Sequence, residues 1–172
     1  MRFEMEAIAV ARTPYKERFG TPHQATAVRG TREGAAVEAS IELLPHVPVE
    51  ALRSLEGFER IWVIYVFHMN EGWGALVRPP RGPKVKRGVL ATRSPHRPCP
   101  IGLSAVRLLG VEGRTLRVHG VDLLDGTPVL DIKPYVPYAD AFPDAGAGWV
   151  DEVDALESVP QGKNAADESG ED

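Results

Sequence analysis

Apolar and polar residues alternate with period two over Gly34–Leu44, with Val37, Ala39, Ile41 and Leu43 on one side and Ala36, Glu38, Ser40 and Glu42 on the other. Successive side chains of an extended chain point to opposite faces, so this pattern predicts a half-buried strand. Glu59–Met69 (ERIWVIYVFHM) is apolar on both faces and dense in β-branched and aromatic residues. It predicts the central strand. Glu6–Ala11, Lys86–Thr92 and Val129–Ile132 are shorter β runs, and Leu103–Val111 and Thr115–Val121 flank Glu112-Gly113-Arg114, a hairpin signal. Pro48–Glu56 is the clear helix candidate, because proline suits a first helical turn and Gly57 would end it. Seventeen glycines and fifteen prolines leave few places for long helices. Short strands separated by turn residues predict a mostly-β domain with one or two short helices. A small closed or partly open β-barrel is favoured over a sandwich, because the strands are few and closure removes exposed edges.

A length of 172 residues suits one domain with a sizeable core. No apolar run approaches the roughly 18 residues of a membrane span, and Met1–Glu6 lacks the apolar core of a signal peptide, so a cytoplasmic protein is expected. The single cysteine, Cys99, excludes an internal disulfide and a cysteine-rich zinc module. The five histidines show no metal-ligand spacing, and no bound metal is expected.

The formal charge of -4 hides a strong asymmetry. Gly72–Val111 contains no Asp or Glu but carries Arg78, Arg81, Lys84, Lys86, Arg87, Arg93, Arg97 and Arg107. Such a field attracts polyanions in a salt-dependent way. Asp151–Asp172 carries eight acids against Lys163 alone. From Gln161 onward there is no large apolar residue, so a folded domain over residues 1–160 and a disordered acidic tail over 161–172 are expected.

The chain lacks a P-loop and a Gly-x-Ser-x-Gly elbow. Asp144-Ala145-Gly146-Ala147-Gly148 looks like a nucleotide-binding glycine loop, but it follows the strand-rich part and no βαβ unit can come after it. Two segments carry more than structure. Ala91–Ser104 (ATRSPHRPCPIGLS) has three prolines in six residues, which stiffen a loop bearing Arg93, His96 and Arg97. Asp122–Tyr138 (DLLDGTPVLDIKPYVPY) contains an Asp125-Gly126 turn, followed by Asp131 and Lys133, which share one face of an extended chain.

At these segments the sequence resembles the TsaA-like (TrmO) family. The resemblance runs from about Glu6 to Asp140 and includes Thr13-Pro14-Tyr15-Lys16, Pro22-His23-Gln24, Phe67-His68 and Arg78-Pro79-Pro80 besides the two long motifs. It implies a small β-barrel, commonly dimeric, and a methyltransferase that uses S-adenosylmethionine to modify N6 of threonylcarbamoyladenosine beside the tRNA anticodon. It also implies cofactor contacts at Gln24, Ala25, Thr26, His68, Met69, Arg93, Leu103, Asp125, Gly126, Thr127 and Pro128. The family usually has Arg where His23 stands and Asn where Cys99 stands. On this reading the protein aligns nucleophile, methyl and leaving sulfur. A base, His68 or Asp131, would take the amide-like N6 proton, while Lys133 or Arg93 would hold the threonyl carboxylate. Arg78, Arg81, Lys84, Lys86, Arg87 and Arg97 would hold phosphates of the anticodon loop, and Tyr135 is a stacking candidate for the unpaired base. Two other readings stay open: methylation of a different RNA or small molecule, and a cofactor- or RNA-binding module without catalysis.

Overall fold

The structure is a computed structural model and describes residues 1–16 and 37–158. Six strands form a closed barrel: β1 (Ala9–Arg12), β2 (Glu38–Leu43), β3 (Arg60–Val66), β6 (Ile101–Glu112), β7 (Thr115–His119) and β8 (Pro128–Pro134). Around the barrel the order is β1-β2-β7-β6-β3-β8, and every neighbouring pair is antiparallel. The expected mostly-β barrel is therefore present, in its closed form. The period-two stretch is β2, with Ile41 and Leu43 buried. The apolar run is β3, paired on both sides along its length. Its inward residues Ile61, Val63 and Tyr65 join Val106, Leu116, Val118 and Val129 in the core, while Trp62, Ile64 and Val66 lie half-buried on the outer wall. Gly102 on β6 sits directly opposite Tyr65, and a Cβ added there would lie 2.3 Å from the phenol ring, so only glycine lets the ring cross the barrel.

Two local expectations are corrected. Pro48–Glu56 is not an α-helix but two single 3₁₀ turns, Val49–Leu52 and Leu55–Gly57. Leu52 and Leu55 both pack on the core, one from each turn. Between them Arg53 is extended and Ser54 is left-handed, and a segment this short gains little from helix cooperativity. Within Lys86–Thr92 only Arg87–Gly88 is a strand (β5), paired with β4 (Leu76–Val77). The chain then turns at Val89–Ala91, where the Thr92 amide and hydroxyl both donate to the Val89 carbonyl.

The described residues divide into two compact units. The first, Met1–Gly74 with Pro95–Ala141, holds the barrel and the short helix α1 (Pro137–Asp140). The second, Ala75–Ser94 with the chain from Phe142, holds the β4–β5 ribbon and helix α2 (Trp149–Ser158). Helix α2 was not anticipated from the sequence pattern. The expected boundary at residue 160 and the tail 161–172 lie outside the described residues.

Candidate functional site

Strict antiparallel pairing fixes which chain segments meet at each end of the barrel. One rim receives the C-terminal ends of β1, β3 and β7 and the N-terminal ends of β2, β6 and β8. It therefore gathers Arg12–Lys16, Phe67–Asn70, Pro100–Gly102 and Gly120–Thr127, segments spread over more than 100 residues of sequence.

The Asp125-Gly126 turn is tied to the end of β1 by main-chain bonds. Asp125 N–H donates to Tyr15 C=O (2.8 Å), Gly126 N–H to Ala11 C=O (2.9 Å), and Ala11 N–H to Thr127 C=O (2.9 Å). Side chains reinforce the join. The buried Thr13 hydroxyl donates to Leu123 C=O (2.9 Å) and accepts from Tyr15 N–H (3.2 Å), while Thr13 N–H donates to Asp125 Oδ1 (3.0 Å). Lys16 Nζ lies 2.6 Å from Asp125 Oδ2. The Lys16 ammonium and the Thr13 amide hold the Asp125 carboxyl below the usual carboxylate range. Nearby, Ser104 Oγ donates to Asp122 Oδ1 (2.7 Å) and lies 3.3 Å from the Tyr65 hydroxyl. Burial pushes the Tyr15 hydroxyl up, and the charge of Asp122 adds to the shift. The Tyr65 ring also meets Phe67 edge-on at 5.3 Å.

Of the residues expected at the site, His68, Met69, Asp125, Gly126, Thr127 and Pro128 are at this rim. His68 is exposed where β3 ends, its N–H bonded to Val66 C=O, and Met69 is 55% exposed. Leu103 points outward from β6 opposite Ile64, and is 52% exposed. Asp131 and Lys133 lie along the outer wall, opposite Ile64 and Trp62, each step further from the rim. They pair with each other at 2.7 Å, and Asp131 Oδ1 also accepts from Ile132 N–H. Tyr135 lies beyond the far end of β8, with its ring packed on Trp62 at 5.3 Å. Arg97 belongs to the loop before β6, in the barrel unit, as does the exposed Cys99. Arg78, Arg81, Lys84, Lys86, Arg87 and Arg93 belong to the second unit. His23, Gln24, Ala25 and Thr26 lie outside the described residues.

A family model for the tRNA-methyltransferase O N-terminal domain matches residues 10–141. The chain belongs to the TrmO family. It is 42% identical over 163 residues to the tRNA (adenine(37)-N6)-methyltransferase of Escherichia coli (strain K12), an alignment covering 90% of this chain and 67% of that protein. It is 42% identical over 144 residues to a probable S-adenosyl-L-methionine-binding protein of Pyrococcus abyssi (strain GE5 / Orsay), covering 84% and 74%. The crystal structure of TrmO from Pseudomonas aeruginosa matches with a TM-score of 0.71 at 43% identity, covering 88% of this chain. The chain spans 64% of the length of that solved TrmO. The TrmO resemblance read from the motifs and the barrel read from the strand pattern are thus both borne out.

Four polar residues of the rim were not assigned from sequence: Thr13, Lys16, Ser104 and Asp122. Thr13, Lys16 and Asp122 lie in motif segments that mark the TrmO resemblance, and Ser104 ends another. Their partners are remote, with Thr13 and Asp125 separated by 112 positions. Only strand pairing brings them together.

Proposed function

We propose that the protein is an S-adenosylmethionine-dependent methyltransferase acting on N6 of threonylcarbamoyladenosine beside the tRNA anticodon, and that it works as a cytoplasmic homodimer. The observation that carries this is the convergence of Phe67–Met69, Pro100–Gly102 and Asp122–Pro128 on one barrel rim. The activity in the name of the Escherichia coli relative, and the name of the Pyrococcus relative as a probable S-adenosyl-L-methionine-binding protein, support it.

The rim residues suit the cofactor's chemistry. Met69 and Leu103 offer exposed apolar surface for a heteroaromatic base, and the peptide groups of Asp125–Pro128 stand at fixed positions for polar contacts. Asp125, held ionised beside Lys16, adds a fixed carboxylate. Gln24, Ala25, Thr26 and Arg93 complete the proposed contact set through the TrmO resemblance. When bound, the sulfonium supplies the activated methyl group.

The chain's own part is to position the base and manage one proton. The N6–H of the substrate is amide-like: its lone pair is delocalised, and removing the proton raises its nucleophilicity. His68 is the favoured acceptor, because it is exposed at the rim among the converging segments. Asp131 is disfavoured, since one carboxylate oxygen faces Lys133 and the other Ile132 N–H. The threonyl carboxylate is proposed for Lys133 or Arg93; the guanidinium fork of Arg binds two oxygens. Within the basic stretch, Arg78, Lys84 and Lys86 are proposed to meet anticodon-loop phosphates. Tyr135 is disfavoured as a stacking partner, because its ring packs against Trp62 at the end of β8 remote from the rim.

Incubation with labelled S-adenosylmethionine and tRNA bearing or lacking threonylcarbamoyladenosine tests this. One methyl should appear on the modified nucleoside only. His68→Ala should slow transfer by roughly 10²- to 10⁴-fold, as expected for loss of a general base, and Asp131→Asn should stay within a few-fold. No methyl from the native chain, or a full rate in His68→Ala, overturns the corresponding assignment.

A further inference from the structure

The acidic stretch Asp151–Asp172 begins inside helix α2. The structure gives its first part a role. The ribbon β4–β5 has only two paired positions, Leu76↔Gly88 and Val77↔Arg87, yet it carries the loop Arg78–Lys86. A two-stranded ribbon of this size is marginal by itself, so something else must order the loop.

Helix α2 meets that need within the same unit. Val153 is 2% exposed and packs on Gly82, where a Cβ would lie 2.5 Å from a valine methyl and where φ is +70°. Only glycine fits both the backbone and the space. The Trp149 indole N–H donates to Ala91 C=O (2.8 Å), and the Arg87 guanidinium lies 5.4 Å from the centre of the Trp149 ring. Arg87 also faces Glu152 at 3.5 Å, and Arg81 donates to Asp154. Trp149, Glu152 and Val153 share one helical face by their spacing of three and four. Arg78, Lys84 and Lys86 are exposed and have no acidic partner among the described residues.

We infer that α2 is a splint that shapes the basic loop for an RNA backbone, and that it divides the cations between two tasks: Arg81 and Arg87 hold the helix, while Arg78, Lys84 and Lys86 meet phosphates. The inference rests on the proposed RNA substrate for its second half and on the packing alone for its first. Each phosphate neutralised contributes about 0.7 to 0.9 to the slope of log affinity against log salt. The folded ion pairs of Arg81 and Arg87 leave those two outside that count.

The test uses the full chain, an anticodon stem-loop RNA at several salt concentrations, and hydrogen exchange over residues 78–90. Arg78→Ala, Lys84→Ala and Lys86→Ala should each lower the salt slope by roughly one phosphate's share, about 0.7 to 0.9. Arg81→Ala and Arg87→Ala should leave the slope unchanged. Val153→Ala should speed exchange in the loop by at least tenfold and weaken RNA binding, while calorimetry with S-adenosylmethionine stays as in the native chain. Unchanged loop exchange in Val153→Ala overturns the splint whether or not RNA binds. A slope lowered equally by Arg81→Ala and Lys84→Ala overturns the division of cations. Donor binding without any RNA affinity in the native chain overturns the RNA reading, and with it the phosphate half of this one.

Discussion

The Asp125-Gly126 turn and the Arg78–Lys86 loop both present polar groups, but they are held in different ways. The turn is part of the barrel's closure: its amides and carbonyls bond to the end of β1, and the buried Thr13 hydroxyl links the two segments. Its geometry follows from the register of strands whose inward residues form the core. The loop hangs from two strand pairs and depends on a helix that arrives more than 60 positions later. Its ion pairs are half-exposed, with side-chain exposures of 48% and 52% for Arg81 and Asp154, and such pairs contribute little stability alone. Val153 seated on Gly82 and the Trp149 indole bonded to Ala91 C=O dock the helix. A turn built into a barrel suits a group that must be placed closely for chemistry. A splinted loop suits a flexible polyanion, where charge matters more than exact position.

This contrast is broken most directly from within the barrel. Ile61 is fully buried on β3, between β6 and β8. Ile61→Ala should cost about 2–5 kcal/mol in urea unfolding, the range for deleting a large aliphatic side chain in a packed core. A loss well under 1 kcal/mol would mean that the barrel wall does not fix the rim. Thr13→Ala sharpens the comparison at the turn itself. It strips the hydroxyl from one buried and one partly buried hydrogen bond and should cost about 1–3 kcal/mol, with Thr13→Ser restoring most of it. If Ser fails to restore stability, the methyl group's packing, and not the hydroxyl, holds the turn.

The barrel was largely legible in the sequence because its signals are local. Period two in β2, the doubly apolar β3 and the Glu112-Gly113-Arg114 turn each declare themselves within a dozen residues. The two 3₁₀ turns were misread as one helix because Pro48 and Gly57 mark a helix's ends equally well for either geometry. What decided between them was tertiary, the seating of Leu52 and Leu55. Helix α2 is not among the elements expected from the sequence, and the packing of Val153 on Gly82 gives the segment its buried face. At the site, His68 and the Asp125 turn were identified through motif resemblance, whereas Thr13, Lys16 and Ser104 become meaningful only through pairing across the barrel. Asp131 and Lys133 were read correctly as sharing a face, and that shared face turns out to close them on each other.

The smallest effect concerns charge at the turn. The Asp125 carboxyl is held below its ordinary range by Lys16 and by Thr13 N–H, so the unfolded chain binds a proton there more readily than the folded one. The resulting stabilisation is complete above the unfolded carboxylate pKa of about 3.9 and is lost as pH falls through the lower folded value. Asp125→Asn keeps an acceptor for the Thr13 amide but removes the charge that faces Lys16. In urea unfolding, the stability difference between the native chain and Asp125→Asn should be flat from neutral pH down to about 5 and should shrink on further acidification. A gap that stays constant into the acid range would show that Asp125 acts at the rim as a hydrogen-bonding group alone. The turn's rigidity would then owe nothing to its charge, and the Lys16 contact would rank with the half-exposed pairs of the splinted loop.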